Sequence, residues 1–599
     1  MESIKKLLKI ASNKTAVIVF VVALVLLLAS IPWMGTKAYY LSFFFLMFMY
    51  VALAESWNII GSAGYLSLGH AAFFGIGAYT TALLLSNLGW TPFGTAPLGG
   101  LMAAVFALVV GYPCLRLRGP YFTLVTLVLN MSVLIVVLNL GWTGAATGLW
   151  LPTLPYKPAM SRSVFYEVML LLMLIVIFIA YRVENSRLGK GLVAVREDED
   201  MAVTLGINAT KVKLQAFILS AFLTGVVGGI YAYYRTYVHP DIMFDVDISI
   251  VIVLMALFGG TQSWVGPVLG AVVLTGVSEL LTLNVGSELA RLIYGLLFVI
   301  VILFLPAGLL GLFKRRRKKR KAEPQPVEEP GEVQASPAVP GRECQAAVVR
   351  SNDGEVILEG KKVSKKFGGL QALYEVDFQV REGEILGLIG PNGAGKTTLF
   401  NVISGFHRAS AGTISFKGMD ITRTSSYRIA GLGIGRTFQI VKFFPNLTVL
   451  ENVAMGSLYG GNARNLEDAR ENSSELLEFC GLDLKGDFLA SDLILADKKR
   501  LEVARALSIK PSLLLLDEVF AGLNATEIND AVELVNRIRD EMGVTVFMIE
   551  HVMTAVMGSC ERLIVIDYGK KIAEGLPREV AENPAVIEAY LGVEDAAIT

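Results

Sequence analysis

From residue 15 to residue 312 the sequence is mostly long apolar runs, many of them near the ~20 residues that a helix needs to cross a bilayer. Runs of that length confine the first half of the chain to a membrane, where backbone polar groups are satisfied inside helices. Candidate spans fall at 15–33, 39–60, 64–86, 97–115, 119–140, 164–182, 213–234, 247–260, 265–283 and 289–312. A basic run, "KRRRKKRK" at 314–321, ends this region, and the composition then becomes that of a soluble domain. The 54% hydrophobic content of the 599 residues therefore averages two unlike halves. The formal net charge of zero hides the basic run, which suits a cytoplasmic membrane face with anionic headgroups. It points to lipid as a partner and not to nucleic acid.

Charge sets the orientation, because Lys and Arg accumulate in cytoplasmic loops. With the N-terminus inside, ten spans return the chain inside at 314–321 and place "RLRG" (116–119) and "RVENSRLGKGLVAVREDED" (182–200) inside as well. The basic-poor stretches 141–163 and 235–246 then lie outside. "FGGTQSWVGP" (258–267) interrupts the apolar pattern, so a re-entrant segment there would reduce the count to eight or nine. The basic N-terminus "MESIKKLLKIASNK" reads as the flank of an uncleaved first span. Cys114, Cys344, Cys480 and Cys560 are isolated, as expected of reduced cytoplasmic thiols. Glu55, Asn58 and His70 lie within or beside spans, where they are expected to pair with one another or cap a broken helix.

The domain organisation expected is a transmembrane domain at 1–313, a basic juxtamembrane segment and flexible linker at 314–354, and a soluble domain at 355–599. The linker is rich in Pro, Glu, Ala and Ser and too polar to bury a core. Beyond it, short apolar strands such as "GEILGLIG", "PSLLLLDEV" and "VTVFMIEH" alternate with helical stretches, which predicts an α/β domain around a mostly parallel sheet.

"GPNGAGKTT" (390–398) follows one such strand and opens a helix, the context of a phosphate loop. Its glycines let backbone N–H groups and the helix N-terminus face an anion, Lys396 adds positive charge, and the Thr397 hydroxyl suits Mg2+. Gly390, Asn392, Gly393, Ala394, Gly395, Lys396, Thr397 and Thr398 are thus the candidate cradle for ATP. "LLLLDE" (513–518) is a buried strand ending in two carboxylates, with Asp517 a candidate for the metal and Glu518 for polarising the attacking water. His551 follows the next strand, at the nucleotide edge of such a sheet.

The series "GPNGAGKTT", "GRTFQ" (435–439), "LLLLDE", "AGLN" (521–524) and "IEH" (549–551) resembles the ATPase subunit of ABC transporters. "KKFGGLQAL" (365–373), "TVLENV" (448–453) and "NPAVIEAYLG" (583–592) resemble the branched-chain amino acid importers in particular. The membrane half resembles their permease in "SAGYLSLGHAAFFGIGAY" (62–79), "GPYFTLVTLVLN" (119–130) and "FGGTQSWVGPVLGA" (258–271). The resemblance implies that Phe367 stacks on adenine, Gln439 reaches Mg2+ and its water, His551 contacts the γ-phosphate, and Asn524 lies in a loop between ATPases. It also implies that 197–207 is a cytoplasmic coupling segment docking on an ATPase. Val519 stands where the family has proline.

The family's signature, Leu-Ser-x-Gly-Gln, falls on Leu493, Ile494, Leu495, Ala496 and Asp497. Ile494 lacks the hydroxyl that would bind the partner's γ-phosphate, and Ala496 adds a methyl at the close approach. Asp497 brings a carboxylate, expected to cap the following helix and to repel phosphate by about 4 kcal/mol at an effective dielectric of 20. The resemblance therefore implies an asymmetric ATPase heterodimer in a bacterial inner-membrane importer, with both termini cytoplasmic. Its expected partners are a second permease, a second ATPase with an intact signature and an extracytoplasmic solute-binding protein. Alternative expectations are an importer of urea or short amides and a nucleotide-binding regulatory subunit.

Overall fold

A computed structural model describes residues 14–304, 308–311, 354–461 and 463–591. The N-terminal basic flank at 1–13, the basic run at 314–321 and the linker up to 353 lie outside them. The chain forms two compact units, Met1–Leu192 with Thr210–Val327, and Val193–Ala209 with Glu328–Thr599.

In the first unit, eight helices among the described residues are long and apolar enough to cross a membrane: Ala38–Gly61, His70–Leu88, Pro92–Cys114, Pro120–Asn139, Pro158–Glu184, Ala209–Arg235, Pro240–Gly259 and Val265–Asn284. Two further apolar helices, Lys14–Ser30 and Ser287–Phe304, stand where the first and tenth spans are predicted. At "FGGTQSWVGP" the chain turns back on itself between two helices. Gly260 has a φ of +108°, and a Cβ on Gly259 would lie 1.7 Å from the Gly266 carbonyl oxygen.

Lipid supplies no hydrophobic drive for one helix to join another, so close packing at small residues holds these helices together. A Cβ on Gly77 would sit 2.0 Å from the Gly225 carbonyl oxygen, and one on Gly228 would sit 2.2 Å from that of Phe74. The His70–Leu88 and Ala209–Arg235 helices thus meet backbone to backbone. Gly77→Leu is expected to destabilise the unit by roughly 1–3 kcal/mol or more through overpacking, read as a lowered melting temperature and loss of the monodisperse peak in detergent.

His70 does not pair with Glu55 or Asn58 as expected. Its ring opens the His70–Leu88 helix and contacts Ser220 Oγ at 2.6 Å through Nε2 and Ser67 Oγ at 3.1 Å through Nδ1. Glu55 and Asn58 are buried in the preceding helix.

The second unit carries strands β1 (Val356–Phe367), β2 (Leu370–Arg381), β3 (Ile385–Ile389), β4 (Ala411–Phe416), β5 (Met419–Asp420), β6 (Ile434–Arg436), β7 (Leu513–Asp517), β8 (Thr545–Ile549), β9 (Arg562–Asp567) and β10 (Lys570–Gly575). One sheet has the order β10-β9-β3-β8-β7-β6 and the other β2-β1-β4-β5. From β9 to β6 the first sheet is parallel, and only the β9–β10 hairpin at its edge is antiparallel. Strands β3, β7 and β8 are buried at every residue, which explains their unbroken apolar sequences. Their C-terminal ends converge, and that edge carries the site.

The "TVLENV" stretch has a structural purpose. Thr448 and Glu451 form a capping box for the helix Val449–Tyr459, and buried Asn452 bonds both the N–H and the C=O of Phe444.

The segment 193–209 packs within this second unit. Asp198 caps the short helix Glu199–Thr204 through the Met201 N–H and pairs with Lys442 at 3.1 Å. Glu197 accepts a hydrogen bond from Asn446 at 2.8 Å.

Candidate functional site

The turn from β3 into the helix Lys396–Ile403 begins the site. Gly395 caps that helix with a φ of +103°, and a Cβ there would lie 2.6 Å from the Ala372 carbonyl oxygen. Glycine is therefore required by both conformation and space. Lys396 is buried, and its Nζ donates to the carbonyls of Gly390 at 2.7 Å and Pro391 at 2.9 Å. Burial lowers its pKa, while Glu518 and Asp517 oppose that shift.

Asp517 ends β7 fully buried. Its Oδ2 faces Arg436 Nη2 at 3.5 Å, and its Oδ1 has no hydrogen-bond partner among the described residues. Burial pushes its carboxyl up to about 6, against the pull of Arg436. Arg436 is itself buried, packed near the rings of Phe406 and Phe438 and donating to Ser404 Oγ at 2.6 Å.

Glu518 turns the chain out of the strand with a φ of +52°, held by its N–H on the Ile549 carbonyl at 2.9 Å. Its Oε1 accepts from Gln439 Nε2 at 3.1 Å and lies 3.2 Å from His551 Nε2. Burial and the Lys396 charge lower the His551 pKa, with Glu518 acting in the opposite direction. Burial thus disfavours the charged imidazolium.

A cavity of about 690 Å³ brings together Phe367, Asn392, Gly393, Ala394, Gly395, Lys396, Thr397, Thr398, Gln439, Glu518 and His551. These residues come from five separate stretches of sequence. Gly390 roots the loop and Asp517 lies behind it. Phe367 ends β1 and is 41% exposed, with Lys365 Nζ over its ring at 4.8 Å from the centroid.

Ile494, Ala496 and Asp497 do not line this cavity. They open the helix Leu495–Leu507, whose N-cap is Ile494 without a side-chain bond. Asp497 is accordingly not the cap expected from the sequence. Its carboxylate is buried and pairs with Lys485 Nζ at 2.5 Å, so the charge expected to repel phosphate is already neutralised. Ile494, by contrast, is 64% exposed. Asn524 caps the helix Ala525–Met542 in a capping box with Glu527, and Val519 is buried in the core.

Sequence reasoning missed several supports of this site. Arg436 was present in "GRTFQ" but its partner, Asp517, lies 81 positions away. Buried Glu502 accepts from the Phe438 N–H at 2.8 Å, fixing the loop that carries Gln439, and burial pushes it up to about 7. Lys499 donates to the Glu518 carbonyl at 2.7 Å. The signal available was "KKRLEVARAL", an amphipathic helix with charges on its buried face.

A phosphate loop, an acidic pair at a strand end and a glutamine and histidine on the same carboxylate define an ABC-type ATPase, and the apolar helices define a multi-pass permease in the same chain. The permease component of the branched-chain amino acid transport system matches residues 39–302, the ABC transporter domain matches 373–521, and a C-terminal segment of branched-chain amino acid ATP-binding cassette transporters matches 570–596. The chain belongs to the branched-chain amino acid ABC transporter family, as a permease and an ATP-hydrolysing subunit in one polypeptide.

Among its relatives, the high-affinity branched-chain amino acid transport ATP-binding protein LivG of Salmonella typhimurium is 39% identical over 38% of this chain and 94% of its own length. BraF of Pseudomonas aeruginosa is 37% identical over 39% of this chain and 98% of its own. A probable LivG of Archaeoglobus fulgidus is 38% identical over 40% and 98%.

Proposed function

We propose that this chain is the fused permease and ATPase subunit of an importer for branched-chain or other small amino acids. The observation that carries the proposal is the presence, in one polypeptide, of a permease matched over 39–302 and an ATPase similar to LivG over 94% of that relative's length. In this reading it spans the bacterial inner membrane with both termini cytoplasmic, and the basic run at 314–321 meets anionic lipid. It works with a second permease, a second ATPase and an extracytoplasmic solute-binding protein. Residues 1–313, 314–354 and 355–599 act as membrane domain, tether and ATPase, and 197–207 couples the two.

ATP lies along the phosphate loop with its adenine on Phe367. Glu518 orients a water and takes its proton as the water oxygen attacks the γ-phosphorus and the bond to the β-phosphate oxygen breaks, releasing ADP. His551 steadies Glu518 and meets the γ-phosphate. Thr397, Gln439 and Asp517 would hold Mg2+, which when bound neutralises phosphate charge. The buried Asp517 Oδ1, without a hydrogen-bond partner among the described residues, fits that assignment.

The test is reconstitution in liposomes with the binding protein and ATP on the cassette side. Labelled leucine or another small amino acid is expected to accumulate only when both are supplied. Uptake of urea or short amides alone would replace the solute, and no binding-protein dependence would overturn the importer.

The asymmetry of the ATPase pair now rests on Ile494 and Ala496, because Asp497 is neutralised by Lys485. An exposed isoleucine side chain offers no donor to the γ-phosphate held by the partner, so the partner's site binds ATP and turns it over slowly. Ile494→Ser with Ala496→Gly is expected to raise ATP turnover at that site by roughly tenfold, the value of one regained charge-assisted hydrogen bond. The assay is ATPase activity with this chain's own site silenced by Glu518→Gln. Unchanged turnover would sink the asymmetric arrangement.

A further inference from the structure

The β9–β10 hairpin closes on a two-residue turn, Tyr568–Gly569, flanked by the pair Asp567 and Lys570. Both central residues have positive φ, +41° at Tyr568 and +76° at Gly569, the pattern of a type I′ turn. Such a turn favours Asn, Asp or Gly at its first central position, because a Cβ in the left-handed region crowds the following carbonyl. Tyrosine is a poor local choice there. Its ring is 88% exposed, so no packing within the described residues compensates for the strain.

The location of the turn supplies a reason. Gly569 donates its N–H to the Ala394 carbonyl of the phosphate loop at 2.9 Å, and its own carbonyl accepts from the Tyr374 N–H at 2.8 Å. A Cβ on Gly569 would lie 2.6 Å from the Ala372 carbonyl oxygen. The turn is therefore fastened between the phosphate loop and the start of β2, next to the β1–β2 turn that bears Phe367. Tyr568 lines the same cavity as Phe367 and Lys396. Among the described non-glycine residues with positive φ, two line that cavity: Tyr568 and the acidic Glu518. Strained backbone retained at a ligand cavity is the pattern of a contact residue held for function against local preference.

We propose that Tyr568 is a nucleotide-contact residue whose ring packs on the base and ribose end of ATP, as a second aromatic surface beside Phe367. This rests on the cavity being the ATP site.

The experiment measures equilibrium binding of radiolabelled ATP to the full chain in its assembled complex, in magnesium-free buffer so that turnover does not intervene, with tripolyphosphate as a competitor that has no base. Tyr568→Asn is expected to weaken ATP binding about fivefold or more, the size of one aromatic stacking contact. Tripolyphosphate competition stays unchanged, and the nucleotide-free melting temperature is equal or higher because Asn suits the turn. Tyr568→Phe keeps the wild-type affinity.

Wild-type ATP affinity in Tyr568→Asn would overturn the proposal. So would equal loss of ATP and tripolyphosphate, which would mean that the turn acts only through the phosphate loop, or a lowered melting temperature, which would mean a structural role. Loss in Tyr568→Phe equal to that in Tyr568→Asn would overturn the ring as the contacting group. A wild-type chain that binds tripolyphosphate but not ATP, or neither, would remove the underlying site assignment instead.

Discussion

Replacing Glu518 with Gln in the assembled transporter lowers ATP hydrolysis by about two to four orders of magnitude, the usual contribution of a positioned general base, and leaves ATP binding in place. Gln keeps the volume and an acceptor oxygen for Gln439 and His551, both within 3.2 Å of the Glu518 Oε1 atom, but it cannot accept the proton of water. The phosphate loop is not touched by the change, so affinity for ATP is preserved and nucleotide is trapped. In the proposed asymmetric pair the same substitution in the partner ATPase is expected to be mild, because a site completed by Ile494 and Ala496 would already turn over slowly. Steady-state phosphate release and retained radiolabelled ATP measure the two quantities. Equal loss from both substitutions would refute the asymmetric pair, and near-normal turnover in Glu518→Gln would remove Glu518 as the base.

The phosphate loop was legible in the sequence because its chemistry is local: consecutive residues supply the glycines, the lysine and the helix N-terminus. Most of the spans were legible for a similar reason, since lipid imposes length and apolarity on each helix separately. The boundary at 64–86 was less so. The stretch 62–69 is apolar enough to extend a span, yet the helix begins only at His70. The preceding backbone is satisfied by side chains of another helix, with the Leu68 N–H on Thr126 and the Leu66 carbonyl on Thr123. Nothing in the local periodicity announces a partner so distant in sequence. The Asp497 charge failed for the same reason. Its neutralising Lys485 comes from a separate turn, and a side chain in the first turn of a helix can point inward or outward with no change in sequence pattern.

Replacing Arg436 with Met tests the other distant pairing, on which the carboxylate proposed to hold Mg2+ depends. Arg436 and Asp517 are both buried, and removing one member of a buried ion pair typically costs about 3–5 kcal/mol, because the remaining charge keeps its desolvation penalty without its partner. In a domain of this size such a loss lowers the melting temperature by on the order of 10 °C. Met fills much of the space beside the rings of Phe406 and Phe438, so the loss reports charge more than volume. Asp517→Asn leaves the guanidinium unpaired and is also destabilising. The double variant removes both charges, and since a buried pair replaced by groups without charge is often neutral in stability, it is expected to melt above Arg436→Met alone. ATP hydrolysis stays lost in all three, because none retains an ionised, correctly held Asp517. Thermal unfolding of the detergent-solubilised chain in nucleotide-free buffer, with the two single and the double variants, gives the coupling directly. A double variant no more stable than the sum of the two single losses would show that Arg436 and Asp517 are neighbours without energetic linkage, and Arg436 would then act through Ser404 and the two rings.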